Sequence, residues 1–81
     1  MPKLRILSGD DVVKILESLG FLMAAQKGSH VKLKRITDGG MKQTLTIPNH
    51  KELDKGTLRA IYLQVSKYVP ESILREYFYS E

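Results

Sequence analysis

The chain contains no cysteine and no tryptophan, and it has only two histidines. The absence of cysteine excludes a disulfide framework, a thiolate nucleophile and a zinc site built on cysteine. No apolar run approaches the roughly 20 residues that a membrane-spanning helix needs, and the first residues lack the apolar core of a signal peptide. We therefore expect a cytoplasmic protein with no membrane segment.

Motifs that depend on metals or nucleotides are also missing. The two histidines and the carboxylates are scattered without metal-ligand spacing, so we expect no metal and no cofactor. The sequence has no glycine-rich phosphate loop and no Ser-His-Asp pattern. Any chemistry must therefore rely on a simple site near the surface.

What the chain does have is a basic centre. Its 81 residues carry a formal net charge of +4, and residues 27–59 hold eight lysine and arginine side chains against three acidic ones. From Glu71 onward the acidic residues outnumber the single arginine. A concentrated basic face favours a polyanionic partner such as nucleic acid. A solvated lysine-rich surface is the alternative.

The length of 81 residues predicts a single domain over residues 1–81, and its first predicted element is a helix. Ser8 can cap this helix, which we place at about residues 9–19, and Gly20 ends it. Apolar residues then recur at helical spacing: Val12, Ile15, Leu16 and Leu19. Three strands follow at about residues 21–26, 30–36 and 42–47, and a turn at residues 37–40 joins the last two into a hairpin.

Two further helices are predicted after Pro48 ends the third strand. The first begins at Asp54 or Lys55, with an apolar stripe at Leu58, Ile61, Tyr62 and Val65. The second is short, with Pro70 at its first position and a partly apolar stripe at Ile73, Leu74, Tyr77 and Phe78. The predicted class is α+β, with two layers and a three-stranded antiparallel sheet.

The most informative local pattern is a Gly28-Ser29-His30 turn that leads into the second strand. Alternation along a strand puts His30, Lys32 and Lys34 on one face, while Val31 and Leu33 lie on the other. Histidine is the side chain whose ordinary pKa, roughly 6.5, allows proton transfer near neutral pH. The sequence therefore predicts a strand with one face that packs on the core and one face that can bind phosphate.

Five short motifs occur in one order and at compatible spacings: Leu7-Ser8-Gly9, Leu19-Gly20-Phe21, Gly28-Ser29-His30, Ile47-Pro48-Asn49-His50 and Lys55-Gly56-Thr57-Leu58-Arg59-Ala60-Ile61. Together they resemble the HicA toxin family, and the resemblance spans most of the chain. It implies a fold like the double-stranded RNA-binding domain and an mRNA-cleaving toxin, an mRNA interferase, neutralised by a HicB-like antitoxin. It also implies a monomer when free and a hetero-oligomer with the antitoxin.

The resemblance assigns the ribonuclease activity to His30, with Gly28 and Ser29 as its flanks. RNA carries its own nucleophile, the 2′-hydroxyl, so one positioned proton acceptor suffices. His30 is then expected to abstract the 2′-hydroxyl proton or to protonate the leaving 5′-oxygen. Three lysines are candidates to stabilise charge on the phosphate: Lys27, Lys32 and Lys34. Hydrolysis by an activated water remains an open alternative.

Other residues near this motif have structural explanations beside functional ones. In the hairpin, His30 falls near Ile47 and the loop that carries His50, so His50 is a possible accessory acid or base, or a solvated loop histidine. Ser29 either contacts phosphate or serves the turn, and Gly28 either admits RNA or supplies a positive φ. The start of the second helix at Gly56 and Thr57 either holds a phosphate or is an ordinary helix start.

Two other classes of function fit the same residues. A double-stranded RNA-binding module would use the basic face without cutting, and its RNA affinity would fall steeply with salt. A protein-interaction domain would use the acidic, tyrosine-bearing end from Glu71, or dock an acidic partner on the basic face. Two observations would favour the toxin over these two alternatives: a neighbouring gene that encodes a HicB-like protein, and cleavage of RNA by the purified protein.

Overall fold

The structure, a computed structural model, describes residues 2–80. Its elements follow in the order β1 (Lys3–Leu4), α1 (Gly9–Ser18), β2 (Leu22–Lys27), β3 (His30–Ile36), β4 (Lys42–Pro48), α2 (Lys55–Val65), α3 (Glu71–Phe78) and β5 (Tyr79–Ser80). The predicted α+β class and the order of helix, three strands and helix are confirmed. This order is consistent with a double-stranded RNA-binding domain fold.

The main sheet is antiparallel, with β3 between β2 and β4. Its inner face packs against the helices because alternate residues along β3 and β4 include four buried apolar side chains: Val31, Leu33, Leu45 and Ile47. The same core cluster contains Val12 and Leu16 of α1 and Leu58 and Ile61 of α2. The outer face of the sheet is therefore left for solvent or a partner.

The start and end of α1 follow from local chemistry. The Ser8 hydroxyl accepts a hydrogen bond from the Asp11 backbone N–H at 3.0 Å, and Asp11 Oδ2 accepts one from the Ser8 N–H at 2.9 Å. This reciprocal pair is a capping box. Gly20 follows the helix with a φ of +96°, which glycine adopts without strain.

The helices of residues 2–80 include no segment with the length and the apolar character that a bilayer span needs.

The structure differs from the sequence predictions in several details. The strands β1 and β5 pair with each other in a second, two-stranded sheet that the sequence did not predict. Phe21, predicted within the first strand, precedes β2 and is fully buried. Pro70 precedes α3 as its N-cap residue, and Ile73 is 44% exposed although it was assigned to the apolar stripe. The strands β1 and β5 were missed because each has two residues, which are too few to show an alternation.

Candidate functional site

His30 is the first residue of the central strand β3 and follows the two-residue Gly28-Ser29 turn. Gly28 has a φ of +58°, and a Cβ added there would contact nothing within 4 Å. The glycine is therefore explained by the backbone conformation of the turn. His30 is exposed and pairs with Lys27 on one side and Pro48 on the other. His30 thus lies on the central strand of the three-stranded sheet, at one end of that strand.

The two lysines of β3 share the outer face with His30, as the alternation predicts. Lys32 and Lys34 are exposed, whereas Val31 and Leu33 are 2% and 0% exposed. The strand residues paired with these lysines are neutral: Ala25 and Leu22 on β2, and Thr46 and Thr44 on β4. Since directly paired residues share a face of the sheet, no carboxylate lies opposite either lysine. The outer face is positively charged.

The loop after β4 is tied to the turn that precedes His30. The Asn49 backbone N–H donates to the Ser29 carbonyl at 2.5 Å, and the Gly9 N–H donates to the His50 carbonyl at 2.8 Å. Three segments therefore meet beside His30: the β2–β3 turn, the loop at residues 48–50 and the start of α1. Asn49 and Gly9 belong to two of the motifs that carry the family resemblance but were not predicted as site residues, because their contributions are backbone contacts.

The close contact between the start of α1 and the loop at residues 48–50 requires a glycine at position 9. A Cβ at position 9 would lie 2.7 Å from the Asn49 Cα and 3.0 Å from the His50 backbone nitrogen. Both atoms belong to the backbone, so the loop would have to move to accept any larger residue. The helix start thus holds the loop that carries His50 against the end of the sheet.

His50 lies two residues beyond Pro48, the cross-strand partner of His30. Its backbone carbonyl is engaged by Gly9, and its side chain is exposed. The hairpin geometry predicted from the sequence, in which the end of the third strand lies opposite His30, is therefore confirmed. The structure brings both histidines to the same end of the sheet, together with Lys27 and Ser29.

Two acidic groups near helix starts are engaged in capping. A hydrogen bond from the Ser8 backbone N–H and, second, one with the Ser8 side chain hold the pKa of Asp11 below its ordinary value. The Thr57 hydroxyl, 2.6 Å from Asp54 Oδ1, is the main cause of a lowered pKa at Asp54. The Asp54 carboxylate also accepts from the Thr57 N–H at 3.3 Å. The start of α2 is therefore an ordinary capped helix start, where a carboxylate disfavours phosphate.

Arg35, a basic residue of β3, does not belong to the outer face. Arg35 continues the inner-face alternation, and its guanidinium lies 4.8 Å from the centre of the Phe21 ring. It donates to Gln43 Oε1 at 2.8 Å, to the Leu19 carbonyl at 3.0 Å and to the Tyr68 carbonyl at 3.1 Å. Arg35 thus connects β4, the end of α1 and the segment after α2. Its charge is used inside the fold.

Within residues 2–80, no group of three histidine or carboxylate side chains is placed to hold a metal ion. What the site offers instead is an exposed imidazole on a positively charged sheet face. The neighbouring ammonium groups can bind phosphate, and the imidazole can exchange a proton with a bound hydroxyl. This combination suits proton transfer on a phosphodiester.

The chain matches a protein-family model. The model described as HicA toxin of bacterial toxin-antitoxin matches residues 9–66, which is more than half of the chain. The matched region begins at Gly9, contains His30 and the loop at residues 48–50, and ends just after α2. No curated protein and no solved structure matches the chain.

Proposed function

Because the chain belongs to the HicA family of toxins from bacterial toxin-antitoxin pairs, we propose that it is a metal-independent endoribonuclease that cleaves mRNA. The observation that carries the proposal is the exposed position of His30 on a sheet face that is otherwise neutral or basic. A catalytic base must be open to its substrate, and lysines beside it attract the RNA backbone.

The proposed reaction is an internal transfer at phosphorus. The 2′-oxygen attacks the adjacent phosphorus, the bond to the 5′-oxygen breaks, and the products are a 2′,3′-cyclic phosphate and a 5′-hydroxyl. His30 takes the proton of the 2′-hydroxyl or gives one to the departing 5′-oxygen. Lys27, the cross-strand neighbour of His30, is best placed to stabilise the developing negative charge. Analysis of product ends distinguishes this route from hydrolysis by an activated water.

His50 is the proposed second proton carrier. It lies at the same end of the sheet as His30, so one imidazole can accept the 2′-hydroxyl proton while the other supplies the proton to the 5′-oxygen. Lys32 and Lys34 extend the positive face along β3, and we assign them to binding of flanking phosphates. Ser29 and Gly28 form the turn that presents His30 and that RNA approaches.

The decisive experiment is RNA cleavage by His30→Ala, by His50→Ala and by the matched surface variant Lys67→Ala. Loss of a general acid or base costs about 10²- to 10⁴-fold in rate, so we expect a loss of that size for His30→Ala and wild-type cleavage for Lys67→Ala. A chelator should leave the wild-type rate unchanged. Full activity of His30→Ala would show that the catalytic assignment is wrong.

A non-catalytic RNA-binding module is the second candidate, favoured by the same lysine-bearing face. In that case RNA would bind in a salt-dependent way and survive prolonged incubation with the wild-type protein. A pure protein-interaction domain would have no measurable RNA affinity even at low salt. The cleavage and binding assays together separate the three functions.

We also propose a HicB-like antitoxin as the protein partner and expect it to cover His30, because blocking the site is the simplest means of inhibition. The free chain would then be a monomer and the inhibited form a hetero-oligomer. Chemical modification of His30 by an imidazole-specific reagent should be fast in the free protein and slow in the complex. Equal modification rates would contradict coverage of the site.

A further inference from the structure

A groove of about 360 Å³ lies on the helical side of the molecule, where α2, α3 and β5 meet. Its lining includes Arg59, Tyr62, Leu63, Glu71, Arg75 and Tyr79. A second hollow of about 320 Å³ adjoins it and shares Arg75 and Tyr79. The volume lies within the range of ligand-binding clefts. Since α2 packs on the inner face of the sheet, the groove and the outer face that carries His30 are separate surfaces.

One wall of the groove is formed by tyrosines that pack against neighbouring aromatic rings. Tyr62 is 5% exposed, and its ring meets the rings of Phe78 and Tyr79 edge-on at centroid distances of 5.5 Å and 5.3 Å. Tyr79 pairs with Leu4 in the small sheet. The Arg5 N–H also donates to the Phe78 carbonyl at 2.8 Å. The aromatic wall is therefore formed before any ligand arrives.

The rim of the groove combines an apolar and a charged part. Leu63 is 49% exposed and lies one helical turn after Arg59, so both project from the same side of α2. Arg75 contributes a second guanidinium from α3, one turn after Glu71. Among residues 2–80, the arginine side chains that donate hydrogen bonds are those of Arg5 and Arg35. Within this part of the chain the two guanidiniums of the groove have no acceptor.

We propose that this groove docks an extended segment of a protein partner that carries a carboxylate beside a large apolar side chain. A guanidinium binds a carboxylate through two parallel hydrogen bonds, and the apolar side chain would pack on Leu63 and the tyrosine wall. Arginine and tyrosine are the residues that most often dominate protein interfaces. The proposal goes beyond the nuclease function, because the groove contains none of the residues assigned to it.

Charge selects a peptide over RNA for this surface. Glu71 lies beside the two arginines in the groove and Glu76 lines the adjoining hollow, so each guanidinium can bind a single carboxylate but the surface offers no continuous positive face to a row of phosphates. The outer sheet face is different, because the residues paired with its lysines are neutral. The two surfaces therefore suit different partners.

The proposal is tested with a fluorescent peptide in which aspartate alternates with leucine, measured by fluorescence anisotropy. A control peptide carries lysine in place of each aspartate. The double variant Arg59→Gln, Arg75→Gln removes two positive charges from the groove. The matched control, Lys55→Gln with Lys67→Gln, removes two exposed charges outside the groove, one at the start of α2 and one just after its end.

We expect sub-millimolar binding of the acidic peptide, about tenfold or greater weakening in the arginine variant and less than about twofold in the lysine variant. Amide NMR signals should shift at Arg59, Leu63 and Tyr79 and stay constant at His30. The proposal is overturned by equal binding of the lysine peptide or by shifts confined to the His30 face. It is equally overturned if an RNA oligonucleotide loses more affinity than the peptide does in the arginine variant. Loss of RNA cleavage in His30→Ala is a separate readout that tests the nuclease alone.

Discussion

At the scale of single residues, Arg35 illustrates why a count of positive charges overstates a binding face. It is one of the basic residues of the central segment, yet it stacks on Phe21 and donates to three acceptors in three parts of the chain. Gln43, its main side-chain partner, is 7% exposed and sits directly opposite it in the strand pair. A polar residue at a core position of an alternating strand is the sequence signal for such a role.

Replacement of Arg35 by methionine should destabilise the fold. The change keeps much of the apolar stem but removes three hydrogen bonds, leaving the Gln43 amide and the two carbonyls without their donor. We expect a loss of about 2–3 kcal/mol in the free energy of unfolding. Urea unfolding measures it, with Lys34→Met as the control because that side chain is exposed. A loss at Arg35 no larger than the loss at Lys34 would contradict the bridging role.

Asp11 should make the stability of the fold depend on pH in the acid range. Its pKa in the folded protein is below the ordinary 3.8, since the backbone N–H and hydroxyl of Ser8 favour the charged form. The stabilisation by the charged group is therefore complete above the unfolded pKa and is lost as pH falls through the folded pKa. The stability difference between wild type and Asp11→Asn should be constant near neutrality and shrink below pH 3.8. A difference independent of pH would contradict this prediction.

At the scale of the elements, the position of the loop at residues 48–50 depends on the start of α1. Gly9→Ala would bring a Cβ within 2.7 Å of the Asn49 Cα. Such overpacking typically costs about 1–3 kcal/mol and would displace the loop that carries His50. We expect reduced stability in urea and slower RNA cleavage. Gly39→Ala is the matched control, because its nearest atom is the Thr37 hydroxyl at 3.9 Å. Equal effects of the two substitutions would rule out this coupling.

The elements that were predictable from the sequence are those with enough residues to display a period. The seven residues of β3 alternate clearly, and α1 has both a capping residue and a terminal glycine. The β1–β5 pair was not predictable, because each strand has two residues and their pairing joins opposite ends of the chain. For the proposed site, the turn motif and the hairpin geometry predict the position of His30 at the start of β3 and that of His50 at the same end of the sheet. The contact of Gly9 with the loop is a tertiary backbone contact, which no periodicity encodes.

At the scale of the whole molecule, the sheet separates two surfaces of different chemistry. The outer face carries His30, Lys32 and Lys34 opposite neutral strand residues. The helical side carries a groove with tyrosines, two arginines and one glutamate. This division agrees with the two proposed partners, RNA on the outer sheet face and a carboxylate-bearing peptide in the groove. The surface on which a positive charge lies should therefore decide which ligand it binds.

The salt dependence of RNA binding tests this division. Each phosphate contact with single-stranded RNA contributes about 0.7 to the slope of log affinity against log salt concentration. In a His30→Ala background, which we expect to leave the RNA intact, Lys32→Gln should weaken binding and lower the magnitude of the slope by about 0.7. Lys67→Gln removes the same charge just after α2 and should leave the slope unchanged. Equal slopes for the two variants would mean that RNA is held by the overall charge of the protein, and the outer sheet face would then lose its role as the RNA-binding surface.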